Sequence, residues 1–147
     1  MGEWFEKLKF GDLPALARQR YGEREALSFE GRRWSYAEFD AEVDRVARGL
    51  IGIGVEHGEH VALWMVNRPE WLFLMYATAK VGAVLVPLST LFTPPELSAA
   101  LRTAAVQHLI AVDEFRGRRY LNYLPPAGDL PALRTVHRTA ALPAEGG

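Results

Sequence analysis

His57 and His60 stand close enough in the chain to suggest imidazoles converging on a metal ion, but no third ligand of suitable type accompanies them at metal-site spacing. A solvated loop is the simpler reading of the pair. The run Gly52-Ile53-Gly54-Val55-Glu56-His57-Gly58 has the glycine density of a phosphate-cradling loop. Its last interval is one residue too long for a dinucleotide fingerprint, and it follows a helical pattern where the phosphate turn must follow a strand. It reads as a helix stop. Arg116, Arg118 and Arg119, with Glu114 before them and Tyr120 after, suit either an anion or the solvated face of a helix, and the second is the more economical reading. His108 opens an apolar run and His137 lies in a weakly patterned one, so neither is assigned a catalytic role.

Asn67 is the most informative polar residue. It falls where an apolar run ends and a helix begins, and doubly wound sheets gather ligands at the carboxyl ends of their strands. Asn67 with Glu70 explains the local pattern as a helix cap, and direct ligand contact is the alternative. Ser89 and Thr90, just past a second apolar run, share that location. No segment has P-loop spacing, and no Gly-x-Ser-x-Gly elbow presents a nucleophilic serine.

The elements that would position these groups are legible from caps and periodicity. Ser35 and Glu38, Asn67 and Glu70, and Thr93 and Glu96 each pair a capping residue with a glutamate three places on, ahead of an apolar helical stretch. Asp12 is read as the cap of an earlier short helix stopped by Gly22. In the helix after Ser35, the residues Phe39, Val43, Val46, Ala47, Leu50 and Ile51 fall on one stripe, Trp34 is placed to staple onto Phe39, and Gly54 ends the helix. The stretches 60–66, 83–88 and 108–113 read as strands, the first two of central type, with Pro87 closing the second. A hairpin over 26–36 turns at Glu30-Gly31-Arg32 and is expected as an antiparallel edge of the sheet. Phe92 is placed to staple onto Leu97 in the third capped helix. Beyond Asp113 the pattern weakens: Phe115–Leu124 suggests a helix, Leu133–His137 a strand, and residues 140–147 a frayed tail.

Strands that alternate with helices pair in parallel, and parallel sheets need cover on both faces. The expected fold is therefore α/β: a doubly wound, mostly parallel sheet with helices on both faces and a small N-terminal hairpin. By the usual size prior, 147 residues fit one domain.

Composition narrows the function classes. The chain has 147 residues, 49% hydrophobic and 24% charged, with 17 basic and 18 acidic side chains. A formal net charge of -1 gives no electrostatic steering toward nucleic acid. With Cys 0 there is no thiolate site, cysteine nucleophile or disulfide framework, which fits a cytoplasmic location. The opening Met1-Gly2-Glu3-Trp4-Phe5-Glu6-Lys7 lacks the basic and apolar regions of a signal peptide, and Lys80 interrupts the only stretch near transmembrane length, Trp71–Leu88.

The order and spacing of certain segments carry a resemblance. Trp34-Ser35-Tyr36-Ala37-Glu38-Phe39, Gly54-Val55, Val61–Val66, Asn67-Arg68-Pro69-Glu70-Trp71, Ala79–Leu88, Thr93-Pro94-Pro95-Glu96-Leu97 and Phe115-Arg116-Gly117-Arg118 together resemble the opening region of adenylate-forming acyl-CoA synthetases. The resemblance runs from about Leu13 to about His137 and is closest to fatty-acid or medium-chain acid–CoA ligases. It implies two half-reactions: a carboxylic acid and ATP give acyl-AMP and pyrophosphate with magnesium assisting, and coenzyme A then displaces AMP.

The family's Thr/Ser/Gly-rich phosphate loop, its later aromatic-Gly-x-Thr-Glu segment, its ribose-binding aspartate and its C-terminal domain with the adenylation lysine have no counterpart in these residues. The resemblance therefore carries over no catalytic, cofactor-binding or metal residue. The resemblance implies that residues 1–139 are the N-terminal part of the family's large AMP-binding domain, so the chain reads as the N-terminal fragment of such a ligase, inactive alone and prone to self-association through uncovered sheet surface. The alternative is a stand-alone, non-catalytic α/β interaction module.

Overall fold

The computed structural model describes residues 8–139, so the tail expected at 140–147 and the opening Met1–Lys7 lie outside the described residues. The chain divides into two compact units, the described part of Met1–Gly58 with Arg68–Ala83, and Glu59–Asn67 with the described part of Val84–Gly147. Each is built by different means.

In the first unit a 3-10 turn at Phe10–Asp12 leads into α1 (Leu13–Tyr21), the strands β1 (Glu25–Phe29) and β2 (Arg32–Ser35), α2 (Tyr36–Gly52) and α3 (Pro69–Lys80). The start of α2 follows from Ser35. Its hydroxyl accepts the Glu38 N–H at 3.1 Å, and the Glu38 carboxylate accepts the Ser35 N–H at 2.8 Å, so two donors that helix geometry orphans are satisfied. At the other end Gly54 takes a φ of 90° and its N–H reaches the Ile51 carbonyl. Trp34 and Phe39, on either side of the Ser35 cap, both stand edge-on to Phe73 of α3, at 6.0 and 5.2 Å between ring centroids. Phe39 also meets Tyr76, which stacks on Phe10.

Three expectations change in this unit. The buried face of α2 does not include Ile51, which is 61% exposed, whereas Asp40 is 3% exposed. Arg18 of α1 reaches Asp40 Oδ2 at 3.3 Å, whereas Oδ1 is buried with no hydrogen-bond partner among the described residues. The hairpin is not an edge of the main sheet but a separate two-stranded sheet, turned through Glu30 and Gly31 at φ of 47° and 79°, the two left-handed residues of a tight primed turn. Asp12 occupies the cap position of α1 without a side-chain cap bond, because the preceding 3-10 turn holds it in a helical conformation at φ -86°, ψ -15°.

The second unit holds the main sheet. Its strands are β3 (His60–Trp64), β4 (Val84–Pro87), β5 (His108–Val112) and β8 (Thr135–Thr139), all parallel, in the order β4-β3-β5-β8. α4 (Pro94–Thr103) lies between β4 and β5 in the chain. Residues 61–64 and 108–112 are buried at every position, so alternate side chains on both faces of β3 and β5 are covered. β4 is not central as its apolar run suggests. Among the described residues it ends the sheet, and Val84 is 45% exposed.

The helix expected over Phe115–Leu124 is absent. β6 (Glu114–Phe115) and β7 (Arg118–Arg119) form a short hairpin instead, followed by a 3-10 turn at Tyr120–Tyr123. Arg116 and Gly117 at φ of 50° and 75° reverse the chain there, a conformation no helix interior accepts.

Candidate functional site

Strand order identifies the position at which open α/β sheets commonly take ligands. From β3 the chain passes to β4 on one side, and from β5 it passes to β8 on the other. The carboxyl ends of β3 and β5 therefore flank the point where the winding reverses, and in open α/β sheets the crevice at that point takes ligands. Three segments border it in sequence: Met65–Asn67 after β3, Leu88–Phe92 after β4, and Asp113–Arg119 after β5.

Asn67 is exposed at this end of the sheet. It is not the helix cap. Pro69 takes the first helical position of α3, so the cap falls on Arg68, and Glu70 accepts from the Arg68 guanidinium at 3.0 Å where a capping box would need it on the Asn67 N–H. The Asn67 side chain is thereby released from the structural role its spacing suggested.

The Leu88–Phe92 loop is tied by hydrogen bonds to two strands, β3 and β7. The Leu88 N–H extends the β3–β4 ladder by donating to the Leu63 carbonyl at 2.9 Å. The indole Nε1 of Trp64, fully buried, donates to the Ser89 carbonyl at 3.0 Å. Arg118 of β7 donates Nη1 to the Thr90 carbonyl and Nη2 to the Phe92 carbonyl, each at 2.8 Å. Within the loop the Ser89 hydroxyl accepts the Leu91 N–H at 3.2 Å. Leu91 itself is 81% exposed.

Arg118 is thus neither on a solvated helix face nor free for an anion in the way its cluster suggested. Its guanidinium carbon lies 4.7 Å from the ring centroid of Tyr123 and 5.6 Å from that of Tyr120, while Tyr120 stands edge-on to Trp64 at 4.7 Å. Arg119 pairs with Glu114 at 3.4 Å, and Arg116 lies over Phe115. A cation followed within a few residues by two tyrosines, beside a glycine turn, was the available sequence signal for this clamp.

The histidines do not converge. His57 is exposed with its ring beside Gly82, His60 donates Nδ1 to the Ala104 carbonyl, and His137 carries a buried Nε2 with no hydrogen-bond partner among the described residues. His108 is fully buried, with Nδ1 2.7 Å from the Thr135 hydroxyl and Nε2 2.7 Å from the Glu59 carboxylate, which also pairs with Arg134. Glu59 and His108 lie at the amino ends of β3 and β5, opposite the crevice. Among the described residues no three His, Asp or Glu side chains are grouped as metal ligands. Next to the site, Glu96 at the start of α4 accepts the Thr93 N–H and the Thr93 hydroxyl, both at 2.8 Å, and these two bonds hold its carboxyl below the ordinary value of 4.5, the backbone bond contributing most.

The sequence matches the family described as AMP-binding enzyme over residues 15–145. The chain belongs to that family. Among curated AMP-binding relatives, it is 40% identical over 112 residues to a putative acyl-CoA synthetase, YngI, of Bacillus subtilis (strain 168), covering 75% of this chain and 20% of that protein. It is 32% identical over 108 residues to the mitochondrial medium-chain acyl-CoA ligase ACSF2 of Danio rerio, covering 72% of this chain and 18% of the relative. A Mycobacterium tuberculosis fatty acyl CoA synthetase superposes with a TM-score of 0.81 at 25% identity, over 89% of this chain and 26% of that one. The chain thus spans about a fifth of the length of the curated relatives it matches. None of the helices in the described residues is long and apolar enough to cross a membrane.

Proposed function

We propose that residues 1–147 are the N-terminal part of an ATP-dependent acid–CoA ligase acting on a fatty or medium-chain carboxylic acid in the cytoplasm. In the first half-reaction a carboxylate oxygen attacks the α-phosphorus of ATP and pyrophosphate leaves. In the second, coenzyme A sulfur attacks the acyl carbonyl and AMP leaves. The observation that carries this reading is the 40% identity to a putative acyl-CoA synthetase across most of this chain.

The described residues suit a supporting part in that chemistry. They supply a parallel sheet, a reversal point at the carboxyl ends of β3 and β5, and a pinned loop beside it. Magnesium would neutralise phosphate charge during adenylation. No ligand set for it stands among the described residues, so no metal step is assigned to them. Nucleotide phosphates, ribose and the adenylation lysine are assigned to sequence outside residues 1–147.

The test is ATP–pyrophosphate exchange with a series of straight-chain carboxylic acids. The complete gene product is expected to exchange label only when an acid is present, and residues 1–147 alone are expected to give none. Acid-independent behaviour of the complete product, or exchange by the fragment unaided, would overturn the assignment.

A further inference from the structure

We propose that Arg118 is a positioning residue: it fixes the Leu88–Phe92 loop so that the loop's outer surface, Ser89, Thr90 and Leu91, meets a substrate at the carboxyl ends of the strands. The proposal rests on the ligase reading for the identity of that substrate, but its structural half does not.

The loop is far more constrained than a connection needs. Carbonyls on a surface turn are satisfied by water. Here the carbonyls of Ser89, Thr90 and Phe92 accept instead from a fully buried indole and a half-buried guanidinium. That guanidinium has no carboxylate partner among the described residues, and its Nε is buried with no hydrogen bond there. Its charge is met by two carbonyl dipoles and the faces of Tyr120 and Tyr123. Withdrawing a cation from water without a counter-charge is unfavourable, so the arrangement makes sense where loop geometry itself is what must be maintained.

The consequence is local. With its carbonyls turned inward, the loop directs Leu91 outward, 81% exposed, beside a crevice that the winding of the sheet assigns to ligands. The planar fork of arginine spans two carbonyls two residues apart, and the point charge of lysine holds one at a time.

The experiment compares wild type, R118K and R118M in the complete gene product by two readouts. The first is amide hydrogen exchange at Leu91 and Phe92, whose N–H groups donate to the Ser89 hydroxyl and the Ser89 carbonyl within the loop. R118M is expected to speed both by at least ~10-fold, the loss of two bonds from a charged donor, with R118K intermediate and exchange in β3 and β5 unchanged. The second is steady-state kinetics with octanoate, ATP and coenzyme A, where R118M is expected to raise KM for at least one of the three by ~10-fold while kcat changes little. Unchanged exchange at Leu91 and Phe92 overturns the proposal whatever the activity. Faster exchange with all three KM values unaltered also overturns it, because the loop would then be anchored for stability alone. A wild type without acid-dependent exchange of pyrophosphate defeats the ligase reading, and the amide measurement still decides whether Arg118 holds the loop.

Discussion

His108 shows how a residue type associated with catalysis serves a sheet. Nε2 donates to the Glu59 carboxylate, and Nδ1 meets the Thr135 hydroxyl, a group able to serve as donor or acceptor. One side chain in β5 thereby ties together Glu59, just before β3, and the first residue of β8. H108A is expected to lower unfolding free energy by about 2–4 kcal/mol in urea titration, from a cavity plus stranded polar partners, and T135V by about 1 kcal/mol. Glu96 makes a prediction of different sign structure. Its carboxyl is held below 4.5 by the Thr93 N–H and hydroxyl, so its contribution is complete above pH 4.5 and is lost as pH falls through the lower folded value. The stability gap between wild type and E96A, read by denaturant titration, should be largest at neutral pH and close below pH 4.5. A gap that widens on acidification would refute the assignment. These roles were only partly legible beforehand. The Thr93–Glu96 box is a local pattern, whereas the partners of His108 come from segments distant in sequence, which no spacing rule reveals.

At the scale of elements, helix starts and sheet order differ in how far the sequence determines them. Ser35 with Glu38 and Thr93 with Glu96 open helices because the interacting atoms are three residues apart. The Asn67–Glu70 pair has the same spacing and fails, because Pro69 shifts the cap by one residue and Arg68 captures Glu70. Strand order is non-local: Pro87 is the one local sign that β4 ends the sheet formed by the described residues, and the apolar run misled because Val84 faces solvent. Glycines offer a paired test of helix packing. A Cβ on Gly11 would stand 2.7 Å from the Lys80 Cα and 2.8 Å from the Lys80 nitrogen, so the backbone of α3 would have to move. G11A is expected to destabilise by about 1–3 kcal/mol. Gly49, inside α2, has nothing within 4 Å of the same atom, and G49A is expected to stabilise by about 0.5–1 kcal/mol through helix propensity and unfolded-state entropy. Thermal melts of the two variants should therefore move in opposite directions, and a shift of the same sign in both would contradict the packing described between Gly11 and α3.

For the molecule as a whole, the decisive quantity is how much sheet edge the described residues leave without a partner strand. β4 and β8 end the four-stranded sheet, and among the described residues neither has a second neighbour. Val84 on one edge and Val136 on the other are 45% and 40% exposed. Unpaired N–H and C=O rows beside apolar side chains are templates for association, and parallel sheets are seldom left in that state. Residues 1–147, produced alone, are therefore expected to self-associate on a sizing column and to bind a hydrophobic dye strongly. Placing a charge on each edge, as in V84K with V136K, should reduce both signals, because a lysine opposed to its own copy across a new strand pair is repelled and costly to desolvate. The substitutions touch exposed positions, so the melting temperature should change little. A monodisperse, dye-silent monomer in the unsubstituted chain would show that these edges are closed by residues 1–147 themselves, and association unaffected by the two lysines would place the contact elsewhere on the molecule.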